Sequence, residues 1–457
     1  MDAESREKSG REKINSVSPS FCMAKWLQVT IDLVNGSNHS CHHPQRHAIP
    51  LAELKTNPSA LHNTSFKKAQ RKLMLEGVRP PECNYCWQAE DAGVLYSDRI
   101  IKSTDPWSWP EFERIKAMPW DQDVHPTFLE VMFDDLCNFS CAYCKQDIST
   151  GVASEIQSFG TYKLSTSTNR YAAVDELSAR ASKEPYLEAF WKWFPEILPS
   201  LKVLRVTGGE PLLSKDFNLL LEYLVAHPQP NLEFAVNSHL GHSHRRMEEF
   251  VKIFQNLRDG KTVRNFEIYT SVDAAGEDAE FIRHGLKYSL WLENMRFISE
   301  RMPQQTIVIM CTFNILSILS FPDLLKDIVE LKKLNPAILI DISFLRDPVY
   351  LRADIADEDL MKKMAELPAL MESYGSFFSE HEVKKMKNVV TWAQSKSIGA
   401  EEDLCRINFF KFIFEYGRRK NKDPLAVLSK YKDFFALCKK TAFANLFTEM
   451  TAKDSPK

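Results

Sequence analysis

The sequence predicts an α/β protein whose main domain is a partial (β/α)6 barrel of TIM type, and three observations predict it. Residues 126–350 alternate apolar, strand-like runs with helix-period patterns, and repeated strand–helix units imply parallel strands joined by right-handed crossovers. Six such units are legible, fewer than the eight of a closed barrel. Cysteines and polar residues gather where the runs end, which is where barrels of this kind keep their chemistry. The expected division is a disordered tail at 1–20, a small cysteine-rich α+β domain at 21–105, the partial barrel at 106–350 with an insertion at 146–188, and a helical extension at 351–457.

Taken in order, the first twenty residues are polar and charged, without the apolar stretch of a secretory signal, and read as a disordered tail. Residues 25–32 followed by Asn35-Gly36 read as the start of a hairpin. The first barrel strand is expected at 127–133, with Cys137, Cys141 and Cys144 on the loop after it. The insertion is rich in Ser, Thr and Tyr. It gives way to an aromatic helix at 186–194, expected to pack on the barrel, with a lid over the site as the alternative. A second strand at 201–206 runs into Gly208-Gly209-Glu210-Pro211. Ser214 can cap a helix reaching Ala226, with Leu219, Leu220 and Leu224 as its apolar stripe. Further strands are expected at 231–236, 266–272, 306–313 and 337–344, with a helix at 323–334. Asn237, Ser271, Asp273 and Asn314 fall at strand ends, as site residues or as turn residues and caps. From Pro348 to about Leu446 the pattern is helical.

Composition narrows the function class. A net charge of −3 over 457 residues gives nucleic-acid binding no electrostatic support. No apolar run reaches the length of a membrane span. Ten cysteines without an export signal argue for a reducing, cytoplasmic setting rather than a disulfide framework. Seven of them precede residue 145, as a metal-binding half would give.

The run Cys137-Asn138-Phe139-Ser140-Cys141-Ala142-Tyr143-Cys144 spaces three thiols as CxxxCxxC. Three cysteines can hold three irons of a [4Fe–4S] cubane and leave the fourth open, whereas electron carriers normally supply four. Zinc is the competing reading, but Lys145-Gln146-Asp147 offers only a weak fourth ligand. In the second motif, Gly208 and Gly209 permit close backbone approach to a ligand, or simply a tight turn. Together and in this order, the two motifs resemble the radical S-adenosylmethionine (SAM) superfamily over residues 125–350.

The resemblance implies an enzyme whose open iron chelates the methionine amino and carboxylate groups of SAM. Glu210 would accept a hydrogen bond from that amino group, with Gly208 and Gly209 close by and Tyr143 on the adenine side. Asn237, Ser271 or Asp273 would meet the ribose or carboxylate. The segment 271–285 resembles part of the twitch and SPASM enzymes, which makes Arg283 a candidate for the SAM carboxylate; a surface arginine is the alternative. A low-potential donor of flavodoxin or ferredoxin type would drive reductive cleavage of SAM to a 5′-deoxyadenosyl radical. That radical would abstract hydrogen from a peptide or small metabolite, in an oxidation, an epimerisation or a cross-link.

Cys22, Cys41, Cys83 and Cys86 form a second set. The pattern C-x13-G-x4-C followed by CxxCW resembles the twitch domain, which carries one auxiliary [4Fe–4S] cluster and here would precede the barrel. Two clusters are then expected, the second passing electrons. The same cysteines, with His42 and His43 beside them, also fit a structural zinc site. Cys311, Cys405 and Cys438 read as buried thiols. Two other function classes stand beside the leading one: a non-catalytic iron–sulfur or zinc protein, against which the open-iron spacing and GGEP argue, and an RNA-modifying radical SAM enzyme, against which the charge balance argues.

Overall fold

The computed structural model describes residues 3–164, 182–396 and 398–453; the middle of the expected insertion lies outside the described residues. The chain divides into two compact units. The first comprises Met1–Asp135, Arg180–Val236 and Asn256–Phe266, and the second Leu136–Ala179, Asn237–Gln255 and Glu267–Lys457.

In the first unit, β1 (Gln28–Asp32), β2 (Ser37–His39), β3 (His47–Ala48), β4 (Phe128–Met132), β5 (Val203–Thr207) and β6 (Gln229–Asn237) lie in the order β3-β2-β1-β4-β5-β6. The expected hairpin is the antiparallel pair β1–β2, turning through Gly36 at φ +59°. A Cβ there would stand 2.1 Å from the Tyr186 ring, so the position needs glycine on both counts. β1, β4, β5 and β6 are parallel neighbours. The expected boundary at 105/106 therefore does not separate two bodies: β1 pairs with β4 residue for residue, from Gln28 with Phe128 to Asp32 with Met132.

The sheet has two unlike faces. Val29, Ile31, Leu129, Val131, Leu204, Val206, Phe234 and Val236 alternate onto one face and are buried. Thr30, Asp32, Glu130, Arg205 and Thr207 alternate onto the other. On the helix Lys215–Ala226 the buried stripe is Phe217, Leu220, Leu221 and Leu224, whereas Leu219 is exposed. The expected stripe was off by part of a turn, because Phe217 starts the i, i+3, i+4, i+7 series. The aromatic helix Glu184–Ile197 packs Phe190 against Phe133, and Trp191 and Phe194 against Tyr223.

Where a disordered tail was expected, the chain forms the helix Ala3–Val17. Ile14 is fully buried in an apolar cluster with Phe21, Trp26, Met74, Trp87 and Trp107, and Val17 packs on its edge. An apolar pair three residues apart, together with Gly10 fitting against Thr104, docks a segment whose composition is otherwise polar.

In the second unit, β7 (Val263–Ser271, from Glu267 onward), β8 (Thr306–Phe313) and β9 (Ile338–Phe344) are parallel. The helices Glu358–Ser373, Glu380–Gln394, Glu402–Arg419 and Lys432–Lys453 follow. Among the described residues, no helix is long and apolar enough to cross a membrane.

A capping box starts the helix Glu380–Gln394: Ser379 Oγ accepts from Glu382 N–H, and Glu382 accepts from Ser379 N–H. The same carboxylate accepts from Lys332 Nζ at 2.6 Å and from Ile340 N–H of β9 at 2.9 Å. Burial alone pushes the Glu382 carboxyl up, but Lys332 and the two backbone N–H groups outweigh it and hold it below the usual carboxylate range. A depressed pKa stabilises the fold above the unfolded value, and that stability is lost as pH falls through the folded value. Glu382→Ala, which strands a buried ammonium, is expected to cost about 3–5 kcal/mol in urea unfolding at pH 7. Glu382→Gln should flatten the loss of wild-type stability below about pH 5. An unchanged acid limb in that variant would show that the pair does not set it.

Candidate functional site

The three-cysteine loop lies in the second unit, and its backbone is tied down from several directions. Ser140 N–H donates to His284 O at 2.8 Å, and Ala142 N–H to Ile282 O at 2.7 Å. Tyr416 Oη donates to Ser140 O at 2.9 Å from the helix Glu402–Arg419. Phe139 is buried and stacks on His239 at 3.8 Å. Gly285, Gly241 and Gly151 admit that ring and its backbone. A Cβ on Gly285, at φ +111°, would stand 2.7 Å from Phe139 Cδ1, and one on Gly151 would stand 2.3 Å from Phe139 O. His239 also pairs with Asn138 Oδ1 at 2.9 Å. Between these anchors, Cys137, Cys141 and Cys144 are half-buried and free of disulfides.

Three of the sequence-derived residues come together beside Cys141. Asp273 is fully buried. Its Oδ2 accepts from Tyr143 Oη at 2.7 Å and from Arg283 Nε at 2.8 Å. Its Oδ1 accepts from Arg283 Nη2 at 3.1 Å and from Thr312 N–H at 2.8 Å. The Arg283 guanidinium sits 5.4 Å from the centre of the Tyr143 ring. Burial alone would lower the Arg283 pKa, but Asp273 holds it well above the ordinary value. Arg283 is thus an interior ion-pair partner rather than a surface arginine. Burial pushes the Cys141 thiol up to about 12, with Arg283 pulling the other way. Burial disfavours the thiolate, so forming it is coupled to capture of a cation.

Asn237 Nδ2 contacts Met310 Sδ at 3.9 Å, and Met310 is the register partner of Ser271, so these two strand ends also meet. Asn314 is a turn residue: its Oδ1 accepts from Leu316 N–H and its Nδ2 donates to Thr312 O.

GGEP lies in the first unit. Gly208 has φ +128°, and a Cβ there would stand 2.6 Å from Asp134 O, while Gly209 N–H donates to that same oxygen at 3.1 Å. The glycines therefore serve close packing against the end of β4. Glu210 is buried, and its Oε1 accepts from Leu212 N–H at 3.2 Å. Sequence reasoning missed the network behind this turn. Asp134 accepts from Ser214 Oγ and, at 2.5 Å, from Lys183 Nζ, which also reaches Asp216 at 3.1 Å. Nothing local marks Asp134 and Lys183 as partners across 49 residues. Gly285 was readable as a special backbone position, but Phe139 as its neighbour was not.

In the first unit, Cys22, Cys41, Cys83 and Cys86 line one small pocket, with His43, Asp98, Arg99 and Lys102 in its wall. Cys83 ends a short 3-10 turn that leads into the helix Asn84–Asp91, so its three-residue spacing from Cys86 puts both thiols on one side. Burial pushes the Cys83 thiol up to about 12 and raises Cys41 as well, while nearby Lys25 lowers both. Lys25 is itself buried and paired with Glu82. His43 Nε2 lies 2.6 Å from Asp98 Oδ2, and its ring stacks on Tyr85 at 3.7 Å.

The donor chemistry of the loop, three thiols outside any disulfide on a backbone tied down on several sides, fits three irons of a cubane. No curated protein and no solved structure matches the chain. The family model described as Radical SAM superfamily matches residues 132–328, a span that holds all three loop cysteines, GGEP, Asp273 and Arg283. Residues 132–328 are a radical SAM superfamily domain, and the protein that carries it is a SAM-dependent iron–sulfur enzyme.

Proposed function

We propose that this enzyme acts on a peptide or small metabolite, that its strands form a partial (β/α)6 barrel, and that its four N-terminal cysteines hold an auxiliary [4Fe–4S] cluster. The convergence of Cys22, Cys41, Cys83 and Cys86 on one pocket carries the second-cluster reading. Cys137, Cys141 and Cys144 would hold a [4Fe–4S] cluster that, with SAM bound, would supply the radical chemistry for hydrogen abstraction. The chain's own part is positional. The glycine-cradled Phe139 and the Ser140 and Ala142 hydrogen bonds hold the loop. Asp273 spends its acceptors on Arg283, Tyr143 and Thr312 and fixes the wall beside Cys141. Glu210 is assigned to the amino group of SAM, with Gly208 and Gly209 shaping its turn, and Asn237 and Ser271 to polar groups of the same ligand. Reducing equivalents would come from a low-potential carrier in the cytoplasm. Held by Cys22, Cys41, Cys83 and Cys86, an auxiliary cluster would have no open iron, which suits electron transfer rather than substrate binding.

A structural zinc ion in the N-terminal pocket is the second reading. His43 favours it, because a metal-bound histidine commonly gives its other ring nitrogen to a carboxylate, and Asp98 stands in that relation to it.

Three outcomes are expected. Changing Cys137, Cys141 and Cys144 together to Ala abolishes 5′-deoxyadenosine formation by the reconstituted protein with a low-potential reductant; cleavage that persists sinks the radical reading. Glu210→Ala weakens SAM binding by about 1.5–3 kcal/mol, the worth of a charge-assisted hydrogen bond, with cluster content intact; an unchanged affinity would make Glu210 a turn residue only. Anaerobically prepared protein holds about eight irons per chain, and removing Cys83 and Cys86 takes away about half while the spectrum of the loop cluster persists. Zinc found in place of that half decides for the second reading.

A further inference from the structure

The polar face of the first unit's sheet is unusual for parallel strands, which are commonly apolar on both sides. Its residues stack in layers. Phe128 and Val203 form the lowest layer, packed on the apolar cluster of Trp26, Trp107 and Phe112. Directly above this dry floor, one register row runs His39, Thr30, Glu130 and Arg205 across β2, β1, β4 and β5. Glu130 and Arg205 form an ion pair at 3.6 Å, with side chains only 11% and 19% exposed. Hydrophobic residues would serve packing at least as well as a buried ion pair. Beside the pair, the hydroxyl of Thr30, in a residue 8% exposed, has no hydrogen-bond partner among the described residues. The same holds for Ser37 Oγ, one step along β2 on this face. Buried polar atoms are normally satisfied, so these two point to an occupant that brings polar groups with it. His42 is within electrostatic reach of both Arg205 and Lys102, and Lys102 is in the wall of the cysteine pocket; the row therefore lies close to the second set of cysteines.

We propose that this row is a substrate-binding site and that its ligand is a zwitterion of the α-amino-acid type. Glu130 meets the ammonium, Arg205 the carboxylate, and Thr30 and Ser37 hydrogen-bond the same head group. The charges of one α-carbon are a few ångströms apart, which matches two adjacent, opposite side chains on neighbouring strands. The termini of a longer peptide do not meet that spacing. The ligand class rests on the reading above that the substrate is a peptide or small metabolite.

The test keeps the two readings apart. Binding of the standard free L-amino acids to the reconstituted wild-type protein is measured by calorimetry, followed by N-acetyl and carboxamide derivatives of those that bind. At least one free amino acid should bind, and blocking either end should weaken it by about tenfold or more, as loss of a charge-assisted contact does. Glu130→Gln and Arg205→Met should each weaken it comparably. If either fails to fold, Thr30→Val carries the test. It removes only a hydroxyl that lacks a partner, so it should leave stability unchanged or higher while weakening binding severalfold. The proposal is overturned if no amino acid binds, if blocked and free forms bind alike, or if folded variants bind as the wild type does. SAM cleavage by the wild-type protein without amino acid reports on the radical reading alone.

Discussion

The parallel pairing of β1 with β4 is the constraint on which the first unit depends. Five residues of the cysteine-rich segment bond in register to the strand that leads into the three-cysteine loop. Because side chains alternate along a strand, a slip of one residue would send Thr30 to the apolar face and Ile31 to the polar one. The register therefore fixes two things together: an aliphatic layer through Val29, Ile31, Leu129 and Val131, and a polar row through Thr30, Glu130 and Arg205. It also anchors the hairpin from which Cys41 follows. The segment with the second set of cysteines is consequently part of the sheet rather than an appended module.

Rigidity around the other cysteine loop comes from saturation. Asp273 gives its acceptor positions to four donors from three different stretches of chain. In a buried site each such bond is electrostatically stronger than in water, and an unmade one is costly. Phe139 adds a packing lock, since Gly285 and Gly151 admit it at distances that no side chain would tolerate. Rigid support of this sort suits a loop that must present three thiols at a fixed spacing.

Much of the architecture was legible because its signals are local. Apolar runs of strand length between helix-period stretches located β4 to β9, and the hairpin was announced by Asn35-Gly36. Signals that depend on distant partners were illegible. The helix Ala3–Val17 hides in polar composition because its apolar contacts with the body rest on Ile14 and Val17, with Gly10 packed against Thr104. The stripe on Lys215–Ala226 was misplaced because Leu219 is as hydrophobic as its buried neighbours and only packing tells them apart. The glycines of GGEP drew attention to a ligand, whereas Gly208 is required by the carbonyl of Asp134.

By itself the sequence determined the chemistry. Cysteine spacing and the GGEP turn identify an iron–sulfur, SAM-dependent enzyme, because ligand count and short-range geometry are carried by neighbours along the chain. Tertiary structure alone decided the surroundings of those groups. It gathered Cys22 and Cys41 with Cys83 and Cys86 around one pocket, buried Arg283 against Asp273, and set Thr30 beside Glu130 and Arg205. The first and last of these join residues tens of positions apart, and such contacts depend on strand register and core packing, which no local pattern encodes.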